Sequence, residues 1–148
     1  MIEVACNGTR VSTSVIVFVL LLLPSTRFSA GQDANGFDGI WNVTLICPTD
    51  KTTLGYTYHF AAQVKNGVLH GEHGTTNKPG WVALDGSIQA DGTATLNAKG
   101  LTNIPIHAAY QVRTGTPYAY TVNAHFDKLR GNGERIELRA CILSFIKR

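Results

Sequence analysis

From residue 37 onward apolar and polar side chains alternate in short runs. Glycine, proline, asparagine and aspartate break the runs at a spacing of about 8–12 residues, which points to an antiparallel sandwich or barrel. The pattern predicts strands near 39–47, 56–65, 68–74, 81–89, 93–99, 105–113, 118–127 and 134–146, and no helix. One face of each strand collects a consistent inner set. It begins with Trp41, Val43, Leu45 and Cys47, then Tyr56, Tyr58, Phe60, Ala62 and Val64. It continues through Leu69, Val82, Leu84, Ile88, Ala94 and Leu96, then Ile106, Ala108, Tyr110 and Val112. Tyr118, Tyr120, Val122, Ala124 and Phe126 follow, and Cys141, Leu143 and Phe145 complete it. In the last strand the parity slips between Ile136 and Leu138 on one side and Cys141 and Leu143 on the other, so a bulge near Arg139 or Ala140 is expected.

Two turns test the register. Asn66-Gly67 is a two-residue hairpin signal, and it pairs Val64 with Leu69, Ala62 with Gly71 and Gln63 with His70. Across Ala90-Asp91-Gly92 a two-residue turn would mix faces. A three-residue loop with Gly92 left-handed instead pairs Ile88 with Ala94 and Gly86 with Leu96. Strands that follow one another hairpin by hairpin form a meander. An even-stranded meander whose first and last strands pair closes into an up-and-down barrel and leaves no free edge. A β-sandwich is the alternative.

Ahead of the strands, Val15 to Leu23 is an uninterrupted apolar run followed by Pro24. A bilayer span takes about 20 residues, so the run fits the apolar core of a cleaved signal peptide and predicts no stable membrane span, an uncleaved membrane anchor being the alternative. Arg10 is the one basic residue before it, an unusually long and weak lead-in that suggests a start downstream of Met1. Cleavage is expected after Ala30 or Gly31, the second avoiding bulky Phe28 at the −3 position. The chain then divides into a signal peptide over 1–31, a short mobile segment over 32–36 and one β domain over 37–148. Cys6 leaves with the leader. Cys47 and Cys141 remain, on one face and in the first and last strands, so they are expected to form a disulfide in an oxidising, secreted or periplasmic setting, two separate buried thiols being the alternative.

Charge adds little. Without Arg10, Arg27 and Glu3, the 13 basic and 10 acidic residues become 11 and 9, a net of +2. There is no run of like charge, so no nucleic-acid footprint. No serine sits in a nucleophile elbow, no carboxylate pair stands out, and no Gly-rich phosphate loop leads into a helix. A non-catalytic binding protein without a cofactor, and a monomer, is expected.

Candidate sites follow from parity. Tyr56, Tyr58, Tyr110, Tyr118 and Tyr120 all fall on the predicted inner face, where phenol groups need partners and could orient a small ligand. They could equally sit at barrel ends with their hydroxyls in water. Trp81, at a strand start with outward parity, is a candidate surface anchor or a barrel-end cap. His59, His70 and Glu72 could approach one ion on the outer face, but no fourth ligand is in view, and solvated strand residues are the plainer reading. Asn42-Val43-Thr44 matches a glycosylation acceptor pattern.

Gly39-Ile40-Trp41 resembles the G-x-W that opens lipocalin-like barrels. That resemblance implies a Trp closing one barrel end beneath a basic residue from the last strand, here Arg139 or Arg135. In length the chain is similar to avidin-like barrels and to barrel-type bacterial metalloprotease inhibitors. A longer resemblance rests on Phe37-Asp38-Gly39, Trp41-Asn42-Val43, Cys47-Pro48, Gly55-Tyr56 and Asn66-Gly67, which look like a set of small exported bacterial proteins of unknown function. It implies export and the two-cysteine frame, and argues against glycosylation. Two functions are expected to compete: small-ligand binding inside a barrel, and binding of an envelope or secreted protein through the loops.

Overall fold

The computed structural model describes residues 34–148. The expected leader, Cys6 and residues 32 and 33 lie outside the described residues. Of the segment expected to be mobile, Ala34 to Gly36 belong to a 3-10 turn spanning Ala34–Phe37. Eight antiparallel strands follow: β1 (Gly39–Cys47), β2 (Tyr56–Lys65), β3 (Val68–His73), β4 (Val82–Ile88), β5 (Thr93–Leu101), β6 (Pro117–Phe126), β7 (Arg130–Arg135) and β8 (Ile142–Lys147). Each pairs with the next, and β8 pairs back with β1, closing the barrel.

Both register tests come out as the turn chemistry requires. Val64 faces Leu69, Ala62 faces Gly71 and Gln63 faces His70. Asn66 and Gly67 have φ of 53° and 73°, the left-handed pair of a type I′ turn, which matches the strand twist. Ile88 faces Ala94 and Gly86 faces Leu96. Gly92 is left-handed at φ 88°, and an added Cβ would lie 2.1 Å from the Phe126 carbonyl oxygen. Cys47 and Cys141 form the disulfide, fixing the end of β1 to the residue just before β8.

Two predicted strands differ from those observed. Residues 105–113 form no strand. Pro105–His107 and Ala109–Gln111 are short 3-10 turns in a long connection between β5 and β6, so Ile106, Ala108, Tyr110 and Val112 are not barrel-wall residues. The predicted strand 134–146 is two strands separated by a loop. β7 starts at Arg130, inside what reads as a glycine-rich break, and Ile136 to Cys141 form the connection to β8 in place of a simple bulge.

The reason for the second difference lies in the core. Gly131 and Gly133 face inward on β7, and a Cβ at either would lie 2.7 Å from the Phe126 ring or 2.9 Å from Val122. Here glycine makes room for a neighbour's side chain, as it can inside strands. The interior is otherwise the predicted set: Trp41, Val43, Leu45, Val64, Leu69, Leu84, Leu96, Val122, Phe126, Leu143 and Phe145 are all buried. Among the described residues no helix is long and apolar enough to cross a membrane.

Candidate functional site

The two ends of the barrel are built differently. At one end the connections are short, and Trp41 is sealed beneath the Ala34–Phe37 turn. Its Nε1 donates to the Phe37 carbonyl (2.9 Å), and its ring meets Phe126 edge to face at 5.3 Å. The cation over this Trp is Lys147, with Nζ 5.7 Å from the ring. Neither Arg135 nor Arg139 takes that position, because both lie at the opposite end. Asp38 locks the same region by accepting the Asn66 and Gly67 backbone N–H groups (2.8 and 2.9 Å), which hold its carboxyl below the usual carboxylate range. Phe37, Asp38, Trp41, Asn66 and Gly67 therefore seal and brace this end.

At the other end long connections surround an open mouth: 48–55, 74–81, 102–116 and 136–141. A cavity of about 300 Å³ lies there, walled by Tyr56, Tyr58 and Tyr118 from the strands and by residues of the 102–116 connection. That volume is at the lower end of small-molecule sites, which span roughly 300–1,000 Å³. Tyr56 and Tyr58 start β2 and Tyr118 starts β6, so inward parity places their rings at the mouth. Tyr56 and Tyr58 pack at 4.9 Å, and Tyr118 lies nearly parallel to Tyr120 at 5.9 Å and 9°. Tyr58 also stacks on His73 at 4.1 Å. Burial, the largest cause, pushes all four of these phenols above their ordinary pKa, so they remain neutral hydroxyls at physiological pH.

The other two predicted tyrosines are placed differently from Tyr56, Tyr58 and Tyr118. Tyr120 does not line the cavity: it is 5% exposed and lies below the mouth with the Arg135 guanidinium 4.0 Å above its ring. Tyr110 borders the cavity from the 102–116 connection and is 84% exposed. The inward parity assigned to it fails because its backbone is left-handed at φ 60°, inside a 3-10 turn.

The arginines are what the tyrosine pattern alone misses. Arg139 is 6% exposed, and its guanidinium donates to the carbonyls of His107 (2.7 Å), Leu54 (3.3 Å) and Pro48. Leu54 N–H also donates to the Ile106 carbonyl (2.9 Å). Arg139 thus ties three connections together beside the disulfide. Arg135 ends β7 with inward parity and emerges at the mouth. Its one clear signal in the sequence is the parity it shares with Gly131 and Gly133, which is legible only once β7 is recognised as a strand.

The remaining candidates disperse. Trp81 lies half-buried just before β4, and its Nε1 donates to Glu72 (3.2 Å), so it is not a free anchor. His70 contacts Asp85 at 2.6 Å and lies 3.7 Å from Glu72. His59 instead contacts Thr44 at 3.2 Å. No group of three His, Cys, Asp or Glu side chains among the described residues could hold a metal ion. A second depression, outside β4 to β6, carries only small and polar side chains without charge.

No family model, curated protein or solved structure matches the chain. What the mouth can do follows from its own geometry.

Proposed function

We propose that the protein is an exported, monomeric, non-catalytic binder that holds a small organic molecule in the mouth of its barrel. The observation that carries this reading is the cavity of about 300 Å³ walled by Tyr56, Tyr58 and Tyr118. Rigid aromatic faces and neutral phenol hydroxyls are the combination with which pockets hold and orient small molecules. The opposite end, sealed by Trp41, makes the barrel a cup rather than a channel. Closure of the sheet supports the monomeric state, since it leaves no strand edge for a second copy.

Binding of an envelope or secreted protein through the loops is the competing function. It draws support from the rim, where Tyr110 and Leu138 are 84% and 66% exposed, and not from Trp81.

Native mass spectrometry of protein purified from its exporting host separates the two. A bound molecule that leaves on denaturation is the expected result. A bare mass, together with co-purification of a protein whose binding is lost in Leu138→Ser, would replace the cup with the rim. In solution Tyr118→Phe should weaken small-molecule retention and leave any protein partner bound.

A further inference from the structure

The cavity is asymmetric in charge. Its lining contains two guanidinium groups, Arg135 and Arg139, and no aspartate or glutamate. The two cations differ in how far their hydrogen-bonding capacity is taken up. Arg139 is engaged by three backbone carbonyls. Arg135 forms no ion pair with any described carboxylate; the ion pairs among the described residues involve His70 and Lys99. Its Nη1 reaches only the Cys141 Sγ, at 4.0 Å, and its Nε, like that of Arg139, is buried without a partner. The nearby Glu137 feels the charge of Arg135 without forming an ion pair with it, and accepts the Thr121 backbone N–H at 2.8 Å.

A guanidinium that is partly desolvated and unpaired carries an energetic penalty that an anion would relieve. The Tyr120 face beneath Arg135 compensates in part, through a cation–π contact at 4.0 Å. That contact holds the guanidinium over the ring and leaves the charge available. Around it stand neutral phenols, which can donate to an anion and cannot themselves supply the missing negative charge. The aromatic walls favour a flat molecule.

We propose that the ligand of the cup is a planar organic monoanion, an aromatic or conjugated carboxylate, with its carboxylate on Arg135 and its ring among Tyr56, Tyr58 and Tyr118. This rests on the binding function proposed above and assigns its ligand class. One free guanidinium matches one carboxylate, and hydrogen bonds to charged groups are the stronger kind. Arg139 adds positive field without giving up its carbonyl partners.

The test uses matched pairs of probes on the folded, oxidised protein by titration calorimetry: cinnamate against cinnamamide, and indole-3-acetate against indole-3-acetamide. On the unmodified protein each acid should bind at least about tenfold more tightly than its amide. Arg135→Gln should bring each acid down to the affinity of its amide and so abolish the acid preference. Arg135→Lys, which keeps the charge, should retain part of the preference. The pairwise comparison needs no variant, so a misfolded Arg135→Gln would leave it intact. Equal binding of acid and amide overturns the anion assignment while the cup itself stands. Binding of neither member of either pair at millimolar concentration overturns both. An acid preference that survives intact in a folded Arg135→Gln moves the anion away from Arg135 and overturns the assignment as well.

Discussion

The two ends of this barrel are made from the same strands and solve opposite problems. At the sealed end the connections are as short as the Asn66-Gly67 turn, and large rings fill the interior, with Trp41, Phe126 and Phe145 all buried. The inward Gly131 on β7 allows the Phe126 ring to lie against the wall. At the open end the connections are long, the inward rings are half-buried tyrosines, and the structure is held by the disulfide and by Arg139 rather than by packing. Close packing and the candidate site therefore lie at different ends, as expected when a rigid scaffold presents a site on its loops.

The comparison can be broken most forcefully at the disulfide. Cys47 and Cys141 are 94 residues apart, and closing a loop of that size contributes about 4–5 kcal/mol in the chain-entropy treatment. Replacing both with serine should lower the denaturation midpoint by a corresponding amount. Hydrogen exchange should rise first in 48–55 and 136–141, and the Asn66-Gly67 hairpin should remain protected longest.

Phe126→Ala should cost about 3–5 kcal/mol, because it opens a cavity between Trp41, Phe145 and Gly131. Affinity of the surviving folded protein for any cup ligand should stay unchanged. A loss of affinity at constant fold would show that the two ends are coupled.

Arg139→Met should remove about 2–3 kcal/mol, since it leaves the Pro48, Leu54 and His107 carbonyls without their charged donor. Exchange in 48–55 and 104–108 is the readout. Gly100→Ala sharpens the comparison at smaller scale. Its new methyl would fall 2.4 Å from the Trp81 carbonyl oxygen and 2.5 Å from the Tyr118 hydroxyl, so it should shift the backbone there, displace Tyr118, and lower both stability and affinity.

The smallest effect is set by acid. The carboxyls of Asp38, Asp50 and Asp127 are held low chiefly by backbone N–H donors in turns at both ends. A depressed folded-state value means that their contribution is complete above the ordinary carboxylate value of about 4 and is lost as pH falls through the folded values. Thermal midpoints should therefore decline below about pH 4, and Asp38→Asn should flatten part of that decline.

Alternation determined most of the barrel. A strand side chain can face only in or out, so Val43, Leu45, Leu84, Leu96 and Val122 declared their positions by parity. Asn66-Gly67 and Asp91-Gly92 then fixed register through backbone conformations that few other residues adopt. The pairing of Cys47 with Cys141 followed from the same parity. Tyr56, Tyr58 and Tyr118 were legible as inward residues for this reason also.

Tertiary structure alone decided three things. It turned Gly131 and Gly133 from apparent turn residues into wall residues, because the side chains that fill their space belong to Phe126 and Val122, on another strand. It took Tyr110 out of the wall, since an alternating run makes a strand only where a neighbouring strand offers hydrogen bonds, and residues 105–113 fold back as a connection. It also separated Arg135 from Arg139. Two arginines four residues apart look alike in sequence, but the backbone carbonyls that engage one and leave the other free come from segments far along the chain.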